Sequence, residues 1–301
     1  MIKLSNGHIL RYVVASGALA FDGLGWPWER PLVSLKLIKP ELFTVFIKSL
    51  TRRPREGNLR WWKPWKCVQL IPGGSVNKVG LTNPGIDWWC NEVAPHLDFE
   101  KYAIAGSIFG DEEEQVEMAI KLNQFDLVAL ELNTSCPNTG HAIEKAEMVV
   151  KSTRSVRLVS RHPIIAKVSV DQDYLAIAQG LKDIAEAISL NSVPWKTAFP
   201  NGEISPLAKL EKRVGGGGGG VSGKPAQEKN WDAVRELNLQ GSLPVIGPSI
   251  MEHDDVYTLR RLGAKAYSFG AVHLRTPWKP TLIVEQLKTE KFEVKEKGNV
   301  C

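Results

Sequence analysis

Two amides, a thiol and two lysines are the side chains of this sequence that are best placed to do chemistry. The thiol is Cys136, which stands between Asn133 and Asn138 in the segment ELNTSCPNTG of residues 131–140. A thiol can act as a general base or a nucleophile, and amides offer donors and acceptors to a flat polar ring. A strand end followed by an Asx-type turn, with the cysteine simply buried, explains the same residues without any function.

The two lysines, Lys48 and Lys167, each stand near the end of an otherwise apolar run, residues 43–49 and 163–170. A lysine in a buried strand costs free energy unless its ammonium group has a partner. Each position therefore indicates a partner for the lysine, and several such polar residues converging at one rim favour a functional site.

The elements that must position these side chains are short apolar runs that alternate with amphipathic segments. This alternation predicts a (β/α)8 barrel rather than an open doubly wound sheet. The predicted strands are residues 10–16, 43–49, 102–108, 125–134, 163–170, 185–192, 243–249 and 265–270, and the predicted helices include 112–123, 143–160, 173–183, 229–239 and 253–262. In such a barrel the active residues lie at the carboxyl ends of the strands, so the polar residues named above would meet at one rim.

One connection, residues 51–100, is too long for an ordinary loop between a strand and a helix. Within it, residues 68–79 contain Pro72-Gly-Gly74 and are predicted to form a small hairpin over the barrel mouth. The connection also carries Trp61, Trp62, Trp65, Trp88 and Trp89. Packing against the barrel or a dimer contact is favoured for these rings over an exposed patch or a membrane contact. We expect one barrel domain over residues 1–290 and a charged, solvated tail over 291–301.

The amino-acid composition indicates an ordinary globular protein. The chain has 301 residues, 43% hydrophobic and 24% charged, and a formal net charge of +5, which is ordinary for one large globular α/β domain. No apolar run approaches the roughly 20 residues that span a bilayer, and the first residues lack the core of a signal peptide, so a cytoplasmic protein without a membrane partner is predicted. The four cysteines are widely separated, which predicts neither disulfides nor a metal centre. No nucleic-acid partner is expected. The basic stretch of residues 48–60 has two interpretations: a nucleic-acid patch, or a substrate-loop lysine beside a solvated turn.

The glycine-rich segment 213–225 (RVGGGGGGVSGKP) has two interpretations. It is either a flexible linker or a loop that brings backbone N–H groups close to a phosphate. The spacing from the glycines to Lys224 does not match a P-loop.

Taken together, these motifs resemble the dihydroorotate dehydrogenase family of flavin-dependent (β/α)8 barrels, over nearly the whole chain. The residues that carry the resemblance are Ala15-Ser-Gly17, Lys48-Ser49, Arg55-Glu-Gly-Asn58, residues 77–85 (NKVGLTNPG), residues 133–138 (NTSCPN), Lys167, Asn191-Ser192, residues 219–225 (GGVSGKP) and Phe269-Gly-Ala271. A cysteine at position 136 resembles the class 1 enzymes of the family, whereas the membrane-associated class has serine there.

The resemblance implies that FMN lies at the barrel mouth with a pyrimidine stacked on it. Cys136 would be the catalytic base that takes a proton from C5 of dihydroorotate while C6 delivers hydride to flavin N5, with Lys48 between flavin and substrate. The substrate would be bound by Lys48, Asn77, Gly80, Leu81, Asn133, Asn138, Asn191 and Ser192. FMN would be held by Ala15, Ser16, Lys48, Ser49, Asn133, Lys167, Ser222, Gly223, Ser249, Gly270 and Ala271.

The sequence departs from the family after the seventh predicted strand. The family has a Gly-x-Gly-Gly-Ile loop for the phosphate, and this chain has Ile246-Gly-Pro-Ser-Ile250, in which Pro248 lacks an N–H. Ala271 stands where a hydroxyl side chain is common, and the loop 139–143 differs from the class 1 substrate loop. Weaker or rearranged phosphate binding is therefore expected.

Two other functions remain open on the sequence. One is a tRNA-dihydrouridine synthase, another FMN barrel with a Cys-Pro pair, although the residue before Cys136 is serine rather than that family's glycine. The other is a flavin-binding barrel that has lost catalysis, against which the retained Lys48, Cys136 and Lys167 argue. The electron acceptor is left open between fumarate, for a stand-alone homodimer, and NAD through a separate iron–sulfur flavoprotein subunit.

Overall fold

The computed structural model describes residues 1–60, 62–134, 145–210 and 217–298, with side chains up to residue 290. Its strands, in chain order, are β1 (Ile2–Lys3), β2 (Ile9–Leu10), β3 (Tyr12–Val14), β4 (Thr44–Phe46), β5 (Val68–Ile71), β6 (Gly74–Asn77), β7 (Ala103–Ile108), β8 (Leu130–Asn133), β9 (Ile164–Val168), β10 (Ala187–Leu190), β11 (Val193–Pro194), β12 (Gly220–Gly223), β13 (Val245–Gly247) and β14 (Ala266–Phe269). Its helices are α1 (Arg30–Ser34), α2 (Ile86–Trp88), α3 (Glu112–Leu122), α4 (Ala146–Val159), α5 (Tyr174–Gly180), α6 (Trp195–Ala198), α7 (Lys224–Gln240), α8 (His253–Arg261), α9 (Ala271–Arg275) and α10 (Lys279–Gly298).

Eight parallel strands close into a barrel in the order β3-β4-β7-β8-β9-β10-β13-β14, with β14 pairing back to β3. Each of these strands lies within one of the eight predicted runs, so the predicted (β/α)8 barrel is confirmed. The strands are shorter than their apolar runs because only the central residues pair, while the flanking residues continue into the loops of the rim.

The barrel interior has an apolar lower half. Apolar side chains from the strands form one buried cluster, which includes Val13, Phe46, Ala105, Ile165, Ala187, Ile246 and Ala266. The antiparallel pair β1–β2 closes the amino-terminal end of the barrel, where Leu4 and Leu10 join the same cluster. Because this half is packed with apolar side chains, polar groups that point inward can gather only nearer the carboxyl ends of the strands.

Helix boundaries follow recognisable sequence signals. Asp111 and Glu114 form a capping box at the start of α3, and Glu252 and Asp255 form another at the start of α8. The long helix α7 has a proline in its first turn and ends at Gly241, whose φ of +70° is the left-handed value that favours glycine at that position. The helices cover the barrel through a second, larger cluster of buried aliphatic and aromatic side chains.

A four-stranded antiparallel sheet lies apart from the barrel, in the order β11-β12-β6-β5. Its core is the predicted hairpin: β5 and β6 pair over Val68↔Asn77 to Ile71↔Gly74. The sequence did not predict β12, in which Gly220 to Gly223 of the glycine-rich segment pair with β6. Glycine is favoured here for a steric reason, since a Cβ on Gly223 would lie 2.7 Å from Gly74 Cα.

Some tryptophans of the long connection, residues 51–100, are buried against the barrel, and others are exposed to solvent. Trp89 is fully buried and donates from Nε1 to Phe21 O over 2.7 Å, as the packing interpretation predicts. Trp62 and Trp65 are exposed, by 53% and 61%. Trp61 lies outside the described residues.

The C-terminal helix α10 continues to Gly298 and so enters the segment predicted as a solvated tail. In the part of the chain that the structure describes, no helix combines the length and the apolarity needed to cross a membrane.

Candidate active site

A cavity of about 450 Å³ opens at the carboxyl end of the barrel, beneath the hairpin β5–β6. Most of the predicted site residues line it: Ala15, Ser16, Lys48, Ser49, Asn77, Leu81, Asn133, Lys167, Asn191, Ser192, Ser222, Gly223, Ser249, Gly270 and Ala271. Segments from both ends of the chain therefore converge on one space, as expected for a barrel rim.

One predicted residue, Gly80, is placed differently, and two others cannot be compared. Gly80 does not line the cavity; it has a φ of +68° and precedes Leu81, which does. Gly80 thus belongs to the turn that directs Leu81 inward. Cys136 and Asn138 lie outside the described residues, so their predicted roles are not tested by the structure.

Strand register gathers the polar side chains on the cavity floor. Asn133 pairs with Lys167, and Lys167 pairs with Ser189, across β8, β9 and β10. Glu131 precedes Asn133 by two residues and therefore points to the same side of β8. Its Oε1 lies 3.3 Å from Lys167 Nζ, and the two side chains are only 4% and 10% exposed. A buried anion thus accompanies Lys167, as its position in an apolar strand requires.

A chain of hydroxyl groups leads from the rim to Glu131. Ser16 Oγ and Ser49 Oγ lie 3.0 Å apart, and Ser49 Oγ and Ser107 Oγ lie 2.8 Å apart. Ser107 donates to Glu131 Oε1 over 2.9 Å, and Ser189 lies 3.5 Å from Oε2. The cavity floor is therefore one connected hydrogen-bond network rather than a set of separate polar groups.

Two amides continue this network towards the mouth. Asn133 donates from Nδ2 to Ser49 Oγ over 3.3 Å and accepts at Oδ1 from Asn191 Nδ2 over 3.2 Å. Asn191 Oδ1 in turn accepts from the backbone N–H of Ser192 over 2.9 Å. Both amides thus have defined orientations, which is what recognition of a ring with carbonyl and N–H groups requires.

The four-stranded sheet forms the upper wall. Asn77, at the end of β6, donates from Nδ2 to the carbonyl of Gly220 over 3.3 Å, so the glycine-rich strand holds this residue at the cavity. Arg275 of α9 donates to the carbonyls of Ile71 and Gly74 over 2.9 and 3.2 Å. These bonds fasten the hairpin to the end of the barrel that carries the site.

The loop of residues 247–250, where the sequence departs from the family pattern, has an unusual backbone conformation and is held by side chains of α7. Ser249 has a φ of +66°, a left-handed conformation that glycine would adopt more easily. Side chains from α7 support the loop: Trp231 donates to Pro248 O over 3.0 Å, and Asn230 donates to Ser249 Oγ over 3.0 Å. Helix α7 therefore stabilises a loop that lacks the usual pair of glycines.

An aromatic wall of the cavity was not predicted. Trp26 and Trp28 line the cavity and stack with ring centroids 5.6 Å apart and planes at 5°. Trp26 is held by two bonds, from Nε1 to Gly17 O over 3.1 Å and from its backbone N–H to Glu29 Oε2 over 2.9 Å. Burial of Glu29 raises the pKa of this carboxyl from 4.5 to about 7.

Two other residues of the cavity floor, Glu131 and Ser189, could have been predicted from the alternation of side chains along a strand. Glu131 and Ser189 each stand two residues before a predicted site amide, and a strand places residues i and i+2 on the same face. Inward alternation through the predicted strands identifies both. Ser107 also stands near the end of a predicted strand, residues 102–108, but no predicted site residue lies on that strand.

Comparison with known proteins agrees with this geometry. The family model for dihydroorotate dehydrogenase matches residues 33–290. The chain is 31% identical over 258 residues to the catalytic subunit of dihydroorotate dehydrogenase B (NAD(+)) from Geobacillus kaustophilus, covering 81% of this chain and 78% of that protein. It is 30% identical over 250 residues to the subunit of the same name from Petrotoga mobilis, covering 80% and 79% of the two chains, and 28% identical over 254 residues to that from Thermodesulfovibrio yellowstonii, covering 81% and 80%. The family match covers seven of the eight barrel strands, and the chain therefore belongs to the dihydroorotate dehydrogenase family of flavin-dependent oxidoreductases.

Proposed function

We propose that this protein binds FMN and uses it to oxidise (S)-dihydroorotate to orotate in pyrimidine biosynthesis. The observation that carries this proposal is the convergence of Lys48, Lys167, Asn133 and Asn191 on the floor of one cavity. Two buried lysines and two oriented amides suit a pair of flat rings that carry carbonyl oxygens and ring N–H groups.

The residues present fit a flavin mononucleotide. The cavity has an aromatic wall at Trp26 and Trp28 and a polar floor, which matches a flat apolar ring with one polar edge. The predicted phosphate end is formed by Ser222, Gly223, Ser249 and Gly270, and among the described lining residues the only cations are Lys48 and Lys167. A phosphate there would be held by hydroxyl and backbone N–H groups rather than by arginine.

When bound, FMN supplies the acceptor for the hydride from C6 of dihydroorotate. The protein's own residues have three tasks in the proposed reaction. Lys167 offers a positive charge beside the ring edge that becomes electron-rich, and Lys48 lies where flavin and substrate meet. Asn133, Asn191 and Asn77 orient the pyrimidine, so that C6 and C5 face their acceptors.

Cys136 is proposed as the base that takes the proton from C5. Support for this assignment comes from the motif of residues 133–138 and from the position of Asn133, the first residue of that motif, at the cavity floor. A cysteine thiol with an ordinary pKa near 8.5 would be a better base at mildly alkaline than at neutral pH.

Electrons must leave the flavin after each turnover. The relatives named above are catalytic subunits of an NAD(+) enzyme, which supports NAD as the final acceptor through a separate iron–sulfur flavoprotein subunit. Iron–sulfur clusters are held by closely spaced cysteines, and the four cysteines of this chain are widely separated in sequence, which favours a cluster in the partner subunit. Fumarate with a stand-alone homodimer is the alternative, and a coupled assay with each acceptor separates the two.

The proposed activity is tested by turnover with an artificial acceptor. Purified protein reconstituted with FMN is mixed with dihydroorotate and a redox dye, and orotate formation is followed by its ultraviolet absorbance. Orotate should form in proportion to dye reduced, and a Lys167→Met variant should lose at least about a hundredfold in rate. Dye reduction without orotate, or no FMN binding, would contradict the proposal.

A further inference from the structure

The proposed reaction leaves one charged group of the cavity without a role, the carboxylate of Glu131. It lines the cavity from β8 and is 3% exposed as a residue. Both of its oxygens have donors: Ser107 and Lys167 at Oε1, and Ser189 at Oε2. An ammonium group and two hydroxyls thus surround this buried carboxylate, and each of its oxygens accepts at least one hydrogen bond.

The first consequence concerns charge. Lys167 Nζ lies 3.3 Å from Glu131 Oε1, in a region where both side chains are largely shielded from water. A negative charge at that distance offsets much of the field that the ammonium group exerts on a neighbouring ring. The positive charge offered to the flavin is therefore the net effect of the pair, not that of an isolated lysine.

The second consequence concerns the direction of the hydrogen bonds. A carboxylate only accepts, so Ser107 must donate to Glu131 and must accept from Ser49. Ser49 Oγ has then used its proton, and it accepts from Ser16 and from Asn133 Nδ2. This leaves Asn133 Oδ1 as the acceptor for Asn191. The ionised state of Glu131 thus fixes which way every member of the network points, up to the amides that face the ligand.

We propose that Glu131 is a positioning residue for the bound flavin and substrate. It holds Lys167 in place, limits the positive charge that reaches the flavin, and sets the donor and acceptor pattern of Ser49, Asn133 and Asn191. The inference rests on the proposed FMN function of the same cavity.

The test is Glu131→Gln, which keeps the size of the side chain and removes its charge. The matched control is Glu186→Gln, which changes the net charge equally but lies before β10 at the opposite end of the barrel, where Glu186 accepts from Ser5. Two quantities are measured without substrate: the reduction potential of the bound FMN, and the dissociation constant of sulfite, whose lone pair forms a bond to flavin N5 and adds negative charge to the ring. Glu131→Gln should raise the potential and bind sulfite at least about tenfold more tightly than the wild type, while Glu186→Gln should match the wild type.

A second variant separates the effect of the Glu131 charge from the effect of the hydrogen-bond direction in the network. Ser107→Ala keeps the Glu131 charge and breaks the hydroxyl chain, so the potential should shift much less than in Glu131→Gln, while orotate binding should weaken about tenfold because Asn133 loses its fixed orientation. This variant decides the question if Glu131→Gln does not fold: unchanged orotate affinity in Ser107→Ala would overturn the proposal.

Equal potentials and sulfite affinities in Glu131→Gln, Glu186→Gln and the wild type would also overturn it. Failure of the wild type to bind FMN contradicts the proposed function instead, so the two failures are distinguishable.

Discussion

The amide of Asn191 donates to the amide oxygen of Asn133 over 3.2 Å, although Asn133 ends β8 and Asn191 follows β10, with β9 between the two strands. The bond is possible because both side chains point into the barrel, where neighbouring strands converge on a common space. The bond fixes the orientation of Asn191, whose Oδ1 accepts from the backbone N–H of Ser192. Asn133 then has a hydrogen bond at both ends of its amide, because its Nδ2 donates to Ser49 Oγ.

Replacing Asn191 by alanine removes one ring-recognition amide and frees the orientation of the other. We expect the affinity for orotate, measured by the change it causes in the flavin spectrum, to fall by about tenfold to a hundredfold, since a buried polar group is left unpaired. The control is Asn201→Ala, because Asn201 is an exposed amide that does not line the cavity. Equal losses in both variants would show that Asn191 acts through overall stability and not through the site.

Glu29, which accepts a hydrogen bond from the backbone N–H of Trp26, should make the stability of the folded protein depend on pH. The carboxyl is 1% exposed, and its pKa rises from 4.5 to about 7 because burial penalises its charged form. Between these pH values the folded state holds a proton that the unfolded state has released, so stability falls as pH rises through the window. Glu29→Gln, which can still accept from Trp26, should be more stable than the wild type at pH 8 by up to about 3 kcal/mol and equal to it at about pH 4.5.

Thermal unfolding at several pH values checks this expectation. The exposed Glu228→Gln is the control for the change in net charge. A constant difference between Glu29→Gln and the wild type at every pH would rule out the titration of Glu29 as its cause.

His273 predicts the opposite pH dependence. It is 1% exposed in α9, neither ring nitrogen has a hydrogen-bond partner among the described residues, and burial lowers its pKa from 6.5 to about 3. Below about pH 6.5 the unfolded state binds a proton that the folded state excludes, so stability falls as pH falls towards 3. His273→Leu forfeits none of the hydrogen bonds that the structure describes and should be more stable than the wild type at pH 5 by about 2 kcal/mol.

Chemical unfolding at pH 5 and pH 8 measures this difference. His96→Gln removes an exposed histidine and should have no comparable effect. If His273→Leu is less stable at both pH values, packing around Phe43 rather than protonation governs the position.

Gly223 should be indispensable for the upper wall. Its φ is +90°, and a Cβ there would lie 2.7 Å from Gly74 Cα and 2.8 Å from Gly73 O. We expect Gly223→Ala to separate β12 from β6 and to weaken FMN binding at least about tenfold. Gly202 has a similar φ of +88°, and no heavy atom of the described residues lies within 4 Å of the position that a Cβ would take, so Gly202→Ala isolates the cost of the backbone conformation. Similar FMN affinities in the two variants would refute a steric role for Gly223.

The barrel could be predicted from the sequence because each strand combines a short apolar run with polar residues at its end. Lys48, Lys167, Asn133 and Asn191 were found for the same reason, since a polar side chain at the end of an apolar strand is conspicuous. The hairpin was predicted from Pro72-Gly-Gly74, a turn signal between two extended runs.

What the sequence did not predict depends on contacts between distant segments. Gly220 to Gly223 form a strand because β6 offers a partner, and Gly74 of β6 lets the backbone of Gly223 approach closely. The aromatic wall requires Trp26 and Trp28 to stack, which their spacing does not indicate. Inward alternation places Glu131 on the cavity side of its strand, but the sequence does not show that Lys167 lies beside it on the neighbouring strand.

Anaerobic reduction of the bound flavin by dihydroorotate is the decisive experiment for the proposed function. Protein reconstituted with FMN is titrated with dihydroorotate in the absence of oxygen, and the long-wavelength flavin band is followed, with Cys136→Ala as a parallel sample. We predict that one equivalent of dihydroorotate bleaches the wild-type band, and that Cys136→Ala binds FMN but is reduced at least about a hundredfold more slowly. A flavin that NADPH bleaches and dihydroorotate does not would contradict the account.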